Sequence, residues 1–141
     1  DFTFSVRGAN SDKGPLQGDT EMYEGLKNTT FLWHPKTHDG YGHLIMNAMC
    51  VGVIPVVDYW RGYHEDAEFT GPRTAGELME DNVTAIFMEP NIKDTIQKIK
   101  NVSNPSSIVE MSSALKKKWD QKINHWSEDI ANTKKWLEDL I

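Results

Sequence analysis

The run Asp39-Gly40-Tyr41-Gly42-His43-Leu44-Ile45-Met46-Asn47-Ala48-Met49-Cys50-Val51-Gly52-Val53-Ile54-Pro55-Val56-Val57 constrains the fold more than any other stretch of the chain. A glycine-rich turn leads into a short helix over 42–51, Gly52 stops it, and an apolar strand follows over 53–57. The helix is apolar on every side except at His43 and Asn47, so it belongs in an interior rather than on a half-wet surface. Cys50, the only cysteine, falls in this helix and is expected to be a buried thiol with no disulfide partner, which fits a reducing compartment. A turn that opens a helix also presents unpaired backbone N–H groups and a partial positive charge, the natural seat of a phosphate.

The flanking sequence fits a strand-helix alternation around this core. Phe2, Phe4 and Val6 alternate with polar residues, which predicts a strand over 2–7, and the Gly-, Asn- and Ser-rich residues 8–20 read as loop. Asp19 or Thr20 is placed to cap a helix over 21–27 with Met22, Tyr23 and Leu26 inward, and a strand is expected over 29–34, ended by Pro35. Residues 58–75 mix aromatic and charged side chains without a period and read as a second functional loop. A short helix over 74–80, a strand over 83–88 and a helix over 91–100 with Ile92, Ile96 and Ile99 inward complete the alternation. The expected fold is therefore α/β, a Rossmann-like parallel sheet with flanking helices occupying 1–103. Asn104-Pro105 has the form of a helix start, and Ile108, Met111, Leu115, Trp119 and Ile123 set an amphipathic helix to about 125. Residues 126–141 continue helical, so 104–141 form a helical tail that packs on the sheet or on a further domain. Trp119, Trp126 and Trp136 read as core rather than as a sugar-stacking platform.

Charge and composition narrow the function. Fifteen Lys and Arg against twenty-one Asp and Glu give a formal net charge of -6, which disfavours nucleic acid or an anionic membrane surface as partner. No apolar run spans a membrane and no signal peptide precedes the first strand, so a cytoplasmic protein is expected and the sequons at Asn28, Asn82 and Asn101 read as chance. The spacing of His34, His38 and His43 matches no zinc pattern, and no Gly-x-Ser-x-Gly elbow is present for a hydrolase. Glu65, Asp66 and Glu68 allow a paired-carboxylate reading or a merely solvated acidic loop.

His43 and Asn47 lie four residues apart and share a helix face toward the turn. Two readings stand for them: they contact a phosphate-bearing ligand, or they hydrogen-bond neighbouring backbone.

Residues 39–57 resemble the nucleotide-sugar-binding signature of GT-B fold glycosyltransferases: an acidic residue, a Gly-aromatic-Gly turn, a second acid further on, a small-residue helix, then Gly-x-Pro-Val-Val. Asp39 takes the first acidic position, Gly40-Tyr41-Gly42 the turn, Asn47 the second acidic position and residues 52–57 the close, with one residue more than usual before Pro55. Phe31-Leu32-Trp33-His34-Pro35-Lys36 and residues 75–85 are similar to one branch of the same enzymes.

The resemblance implies a metal-independent site without a cofactor for a nucleoside-diphosphate sugar, the donor of a hexose to an acceptor. By position, the backbone of Gly40, Tyr41 and Gly42 would face the diphosphate, Asp39 the sugar hydroxyls and Asn47 the ribose. Lys36, His43 and Arg61 are the nearest sources of positive charge for the leaving diphosphate, while for Lys36 and Arg61 a solvated surface charge is the alternative. It also implies a partner N-terminal domain that these residues do not include, so that the chain is expected to be the donor-binding part of a longer enzyme, inactive alone. Asp39 is shorter than the family's Glu and Asn47 is neutral, which motivates a second reading, a noncatalytic nucleotide- or partner-binding module on the same fold.

Overall fold

A computed structural model describes residues 3–7, 11, 13–35, 43–57, 79–122 and 125–139. Its elements run α1 (Gly18–Lys27), β1 (Phe31–His34), α2 (His43–Val51), β2 (Ile54–Val57), β3 (Ile86–Phe87), α3 (Ile92–Val102), α4 (Pro105–Lys122) and α5 (Trp126–Glu138). The three strands form one parallel sheet in the order β1-β2-β3, with Phe31 opposite Ile54 and His34 opposite Val57, and with Val57 opposite Phe87. This is the mixed α/β, parallel-sheet architecture that the alternation predicts.

β2 is the centre of the fold, and all four of its residues are buried. A proline in a central strand ordinarily breaks the ladder. Here the Ile54 amide donates to Thr30 O at 3.0 Å on the β1 side, so the Pro55 nitrogen faces β3, where pairing begins only at Val56 with Ile86. The missing N–H therefore falls where no ladder bond is lost.

Alternation along the strands sends Leu32, Val57 and Phe87 into a cluster with Ile45 and Met49 of α2 and Leu115 of α4. Phe31, Ile54, Val56 and Ile86 go to the other side, against Ile99 and Val102 of α3 and Met111 of α4. α1 adds Leu26 and Met22 to a third cluster with Ala48 and Val53. Both faces of the sheet are covered, which is why β2 reads as a continuous apolar run rather than an alternating one.

The turn from α2 to β2 is fixed by backbone geometry. Val53 N donates to Ala48 O at 2.9 Å and Gly52 N to Met49 O at 3.2 Å, the paired bonds of a Schellman cap, with Gly52 at φ 79°. Asn104 caps α4 as expected: its side-chain oxygen accepts from Ser107 N at 2.9 Å, and Pro105 holds the first helical position.

Several expectations are corrected. Residues 3–7 form no strand, and Phe4 and Val6 are 79% and 69% exposed. Polar contacts hold this segment instead: Arg7 donates to Lys13 O at 3.2 Å, and Lys13 Nζ lies 3.4 Å from Ser5 Oγ. α1 starts earlier than Asp19 or Thr20 would allow as a cap; its N-cap is Gln17, whose amide donates to the Glu21 carboxylate at 2.7 Å. Tyr23 lies outward, with the Lys27 ammonium 4.3 Å from its ring centre.

The strand expected over 83–88 shrinks to Ile86–Phe87, because Glu80 O accepts from the amides of Val83, Thr84 and Ala85 and winds the preceding residues into a turn. Of the helix expected over 74–80, Met79 and Glu80 are not helical and the rest lies outside the described residues. α3 buries Thr95, packs Ile99 and Val102, and leaves Ile92 and Ile96 52% and 40% exposed. α4 ends at Lys122, and the described side chains of α5 are exposed, Trp136 among them at 61%; Trp119 packs on the core, and the Trp126 side chain lies outside those described. Cys50 is exposed rather than buried, since α2 turns Ile45, Ala48 and Met49 inward and leaves Cys50 on the opposite side.

Candidate functional site

In a parallel sheet, ligands bind beyond the carboxyl ends of the strands. That edge is marked here by the register row His34, Val57 and Phe87. β1 and β2 are parallel neighbours joined through α2, so α2 runs back against them and its N-terminus lies on the carboxyl side. The first-turn amides and dipole of α2 are therefore set at the edge where an anion would sit.

His34 ends β1 and is buried, 7% exposed, on the strand face shared with Leu32 that α2 covers. His43 opens α2 and is exposed. Asn47, one turn further in, is part-buried, and its side-chain amide donates to the Met22 sulfur of α1 at 3.6 Å. The two polar residues of α2 thus share a face but not an environment: His43 meets solvent, while Asn47 is held in the α1–α2 contact. Neither of the two readings made for the pair describes Asn47 fully, since its partner here is a side-chain sulfur. Lys36, Asp39, Gly40, Tyr41, Gly42 and Arg61 lie outside the described residues, as do His38, Glu65, Asp66 and Glu68.

The third strand brings a charged cluster that residue patterns did not reveal. Lys98 Nζ of α3 bonds Asp81 Oδ2 at 2.8 Å, Phe87 O at 3.2 Å and the Glu89 carboxylate. Asp81 Oδ1 in turn accepts from Phe87 N at 2.8 Å, and the buried Thr95 hydroxyl accepts from Glu89 N at 2.8 Å. These anchors set the rotation of α3, which explains why Thr95, Ile99 and Val102 face the sheet in place of Ile92 and Ile96. Burial lowers the pKa of Lys98, but the hydrogen bonds and charges of Asp81 and Glu89 outweigh it and hold the ammonium above its ordinary value. No signal in the sequence joins Asp81, Glu89 and Lys98, because two of them flank β3 while the third sits on α3, and only the fold assembles them.

Lys98 is committed to two carboxylates, so its charge is largely spent within the fold. Among the described residues, no group of three or more His, Cys, Asp or Glu side chains is placed to hold a metal ion, and no helix is long and apolar enough to cross a membrane. What the described part of the edge offers a ligand is the N-terminus of α2, the exposed imidazole of His43 and the amide of Asn47. No protein-family profile, curated protein or solved structure matches the chain.

Proposed function

We propose that this chain is the nucleotide-sugar-binding part of a glycosyltransferase that moves a hexose from a nucleoside-diphosphate sugar to an acceptor. One observation carries the reading: the segment that resembles a donor-binding signature is the segment whose helix, α2, opens at the carboxyl edge of the parallel sheet. Breaking the glycosidic bond leaves negative charge on a diphosphate, and a helix N-terminus beside backbone amides stabilises such charge. In this reading the turn over 40–42 receives the diphosphate, His43 adds a donor or a positive charge beside it, Asp39 accepts from sugar hydroxyls and Asn47 meets the ribose. Lys36 and Arg61, which follow β1 and β2 in sequence, supply further positive potential. The acceptor, and the groups that position it, belong to a partner domain.

A second reading, a noncatalytic module that binds a nucleotide or a partner, is favoured by the shorter Asp39 and the neutral Asn47. Calorimetric titration with UDP-, GDP- and ADP-hexoses, alongside Asp39→Ala and Asn47→Ala, tests the binding claim. Saturable binding weakened by both variants supports it, and absence of binding to the unaltered chain sinks it. Sugar transfer by the chain together with its partner domain, abolished in both variants, would exclude the noncatalytic module.

A further inference from the structure

We infer that Met22 of α1 is a positioning residue for Asn47, fixing the side-chain amide that meets the nucleotide's ribose. The inference rests on the nucleotide reading above and adds to it a residue from a different element, outside the signature. Asn47 and Met22 are 25 positions apart, and both are part-buried where α1 packs on α2. Met22 is itself packed against the buried cluster of Leu26, Ala48 and Val53. That packing restricts the Met22 side chain and sets its sulfur toward Asn47.

An amide has two N–H donors and one oxygen, and a thioether is a soft, weak acceptor. By taking one N–H, the sulfur sets the plane of the Asn47 amide without competing strongly for it. Vicinal hydroxyls both donate and accept, as an amide does, and a carboxylate at position 47 could only accept. Fixing the amide before the ligand arrives removes an ordering cost that binding would otherwise bear. A leucine at position 22 would fill similar space and leave the amide without its fixed acceptor.

A double-variant cycle separates positioning from packing. UDP, GDP and ADP affinities are measured by calorimetry for the unaltered chain, Met22→Leu, Asn47→Ala and the combination. We expect Met22→Leu to weaken binding about three- to tenfold when Asn47 is present, the worth of one modest hydrogen bond, and to change nothing in the Asn47→Ala background. Equal weakening in both backgrounds would make Met22 a packing residue only and overturn the inference, as would an unchanged affinity of Met22→Leu. Failure of UDP, GDP and ADP alike to bind the unaltered chain would overturn the nucleotide reading and this inference together. The Asn47 side-chain NH2 resonances give a readout that does not depend on affinity. They should shift on Met22→Leu while backbone amides of the α2–β2 core hold their positions, and an unmoved NH2 pair would contradict the assignment.

Discussion

Replacing Gly52 with alanine should be among the most damaging single-methyl changes in this chain. Gly52 ends α2 at φ 79°, where a residue with a Cβ is strained by about 1–2 kcal/mol. The added methyl would also press on Ser112 Oγ of α4 and come within 2.9 Å of Lys116 Cδ. The lysine chain can swing aside, but Ser112 is short and fixed to a helix whose Met111 and Leu115 are buried, so α4 or β2 must shift. Overpacking of that kind costs about 1–3 kcal/mol. Together the two effects amount to about 2–5 kcal/mol, against a total stability of about 5–15 kcal/mol for a domain.

Urea unfolding at fixed pH measures the loss directly, provided the slope with denaturant is unchanged. Ser112→Ala introduced into Gly52→Ala should recover part of the steric loss and leave the torsional cost of about 1–2 kcal/mol. A Gly52→Ala loss below about 0.5 kcal/mol, or no recovery on removing the serine oxygen, would refute the close approach of α4 to this turn.

Charge, thiol exposure and helix capping each carry a measurable consequence. Lys98→Met should destabilise the fold by about 1–2 kcal/mol at neutral pH, between the value of an exposed ion pair and that of a buried one. Because the folded pKa of Lys98 is raised above the ordinary value of 10.5, its contribution is fully present below that value and is lost as pH rises through the folded one; unfolding curves in which the gap between Lys98→Met and the unaltered chain widens at high pH would contradict this. The native protein should release colour from a thiol reagent with one equivalent of Cys50, without denaturant, whereas reaction only after unfolding would return Cys50 to the interior. Asn104→Ala should cost about 1 kcal/mol in urea unfolding, through the lost cap on Ser107 N, and a neutral result would remove that bond from the account.

The parts of the fold that could be read in the sequence are those set by local rules. Gly52 had to stop α2 because a left-handed residue favours glycine, Asn104-Pro105 had to open α4, and the run 53–57 had to be a strand buried on both faces. The failures share a different cause. Alternation at Phe4 and Val6 resembles a strand, yet periodicity alone does not say which segments join the sheet, and residues 3–7 do not. Spacing alone placed Ile92 and Ile96 inside, but the bonds of Thr95 and Lys98 to Glu89 and Asp81, made between separate elements, rotate α3 away from that face.

At the candidate site the sequence identified α2 and its two polar side chains, and the parallel sheet gave them a direction. It did not distinguish His43 from Asn47, which differ only because α1 packs beside one of them. Its apolar character puts Met22 on the inner side of α1, and the structure gives its sulfur a second part as hydrogen-bond acceptor.

Residue-resolved titration is the most direct test of the central claim that the turn opening α2 receives the diphosphate of a nucleotide-sugar. Amide chemical shifts of the 141-residue chain would be followed while a UDP-hexose, a GDP-hexose, UDP and GDP are added in turn. Saturable shifts are expected, concentrated over residues 40–47 and shared by a nucleotide-sugar and its free nucleoside diphosphate, with residues of α5 unmoved. Absence of any change over 40–47 at millimolar ligand, or shifts confined to another surface, would contradict the claim.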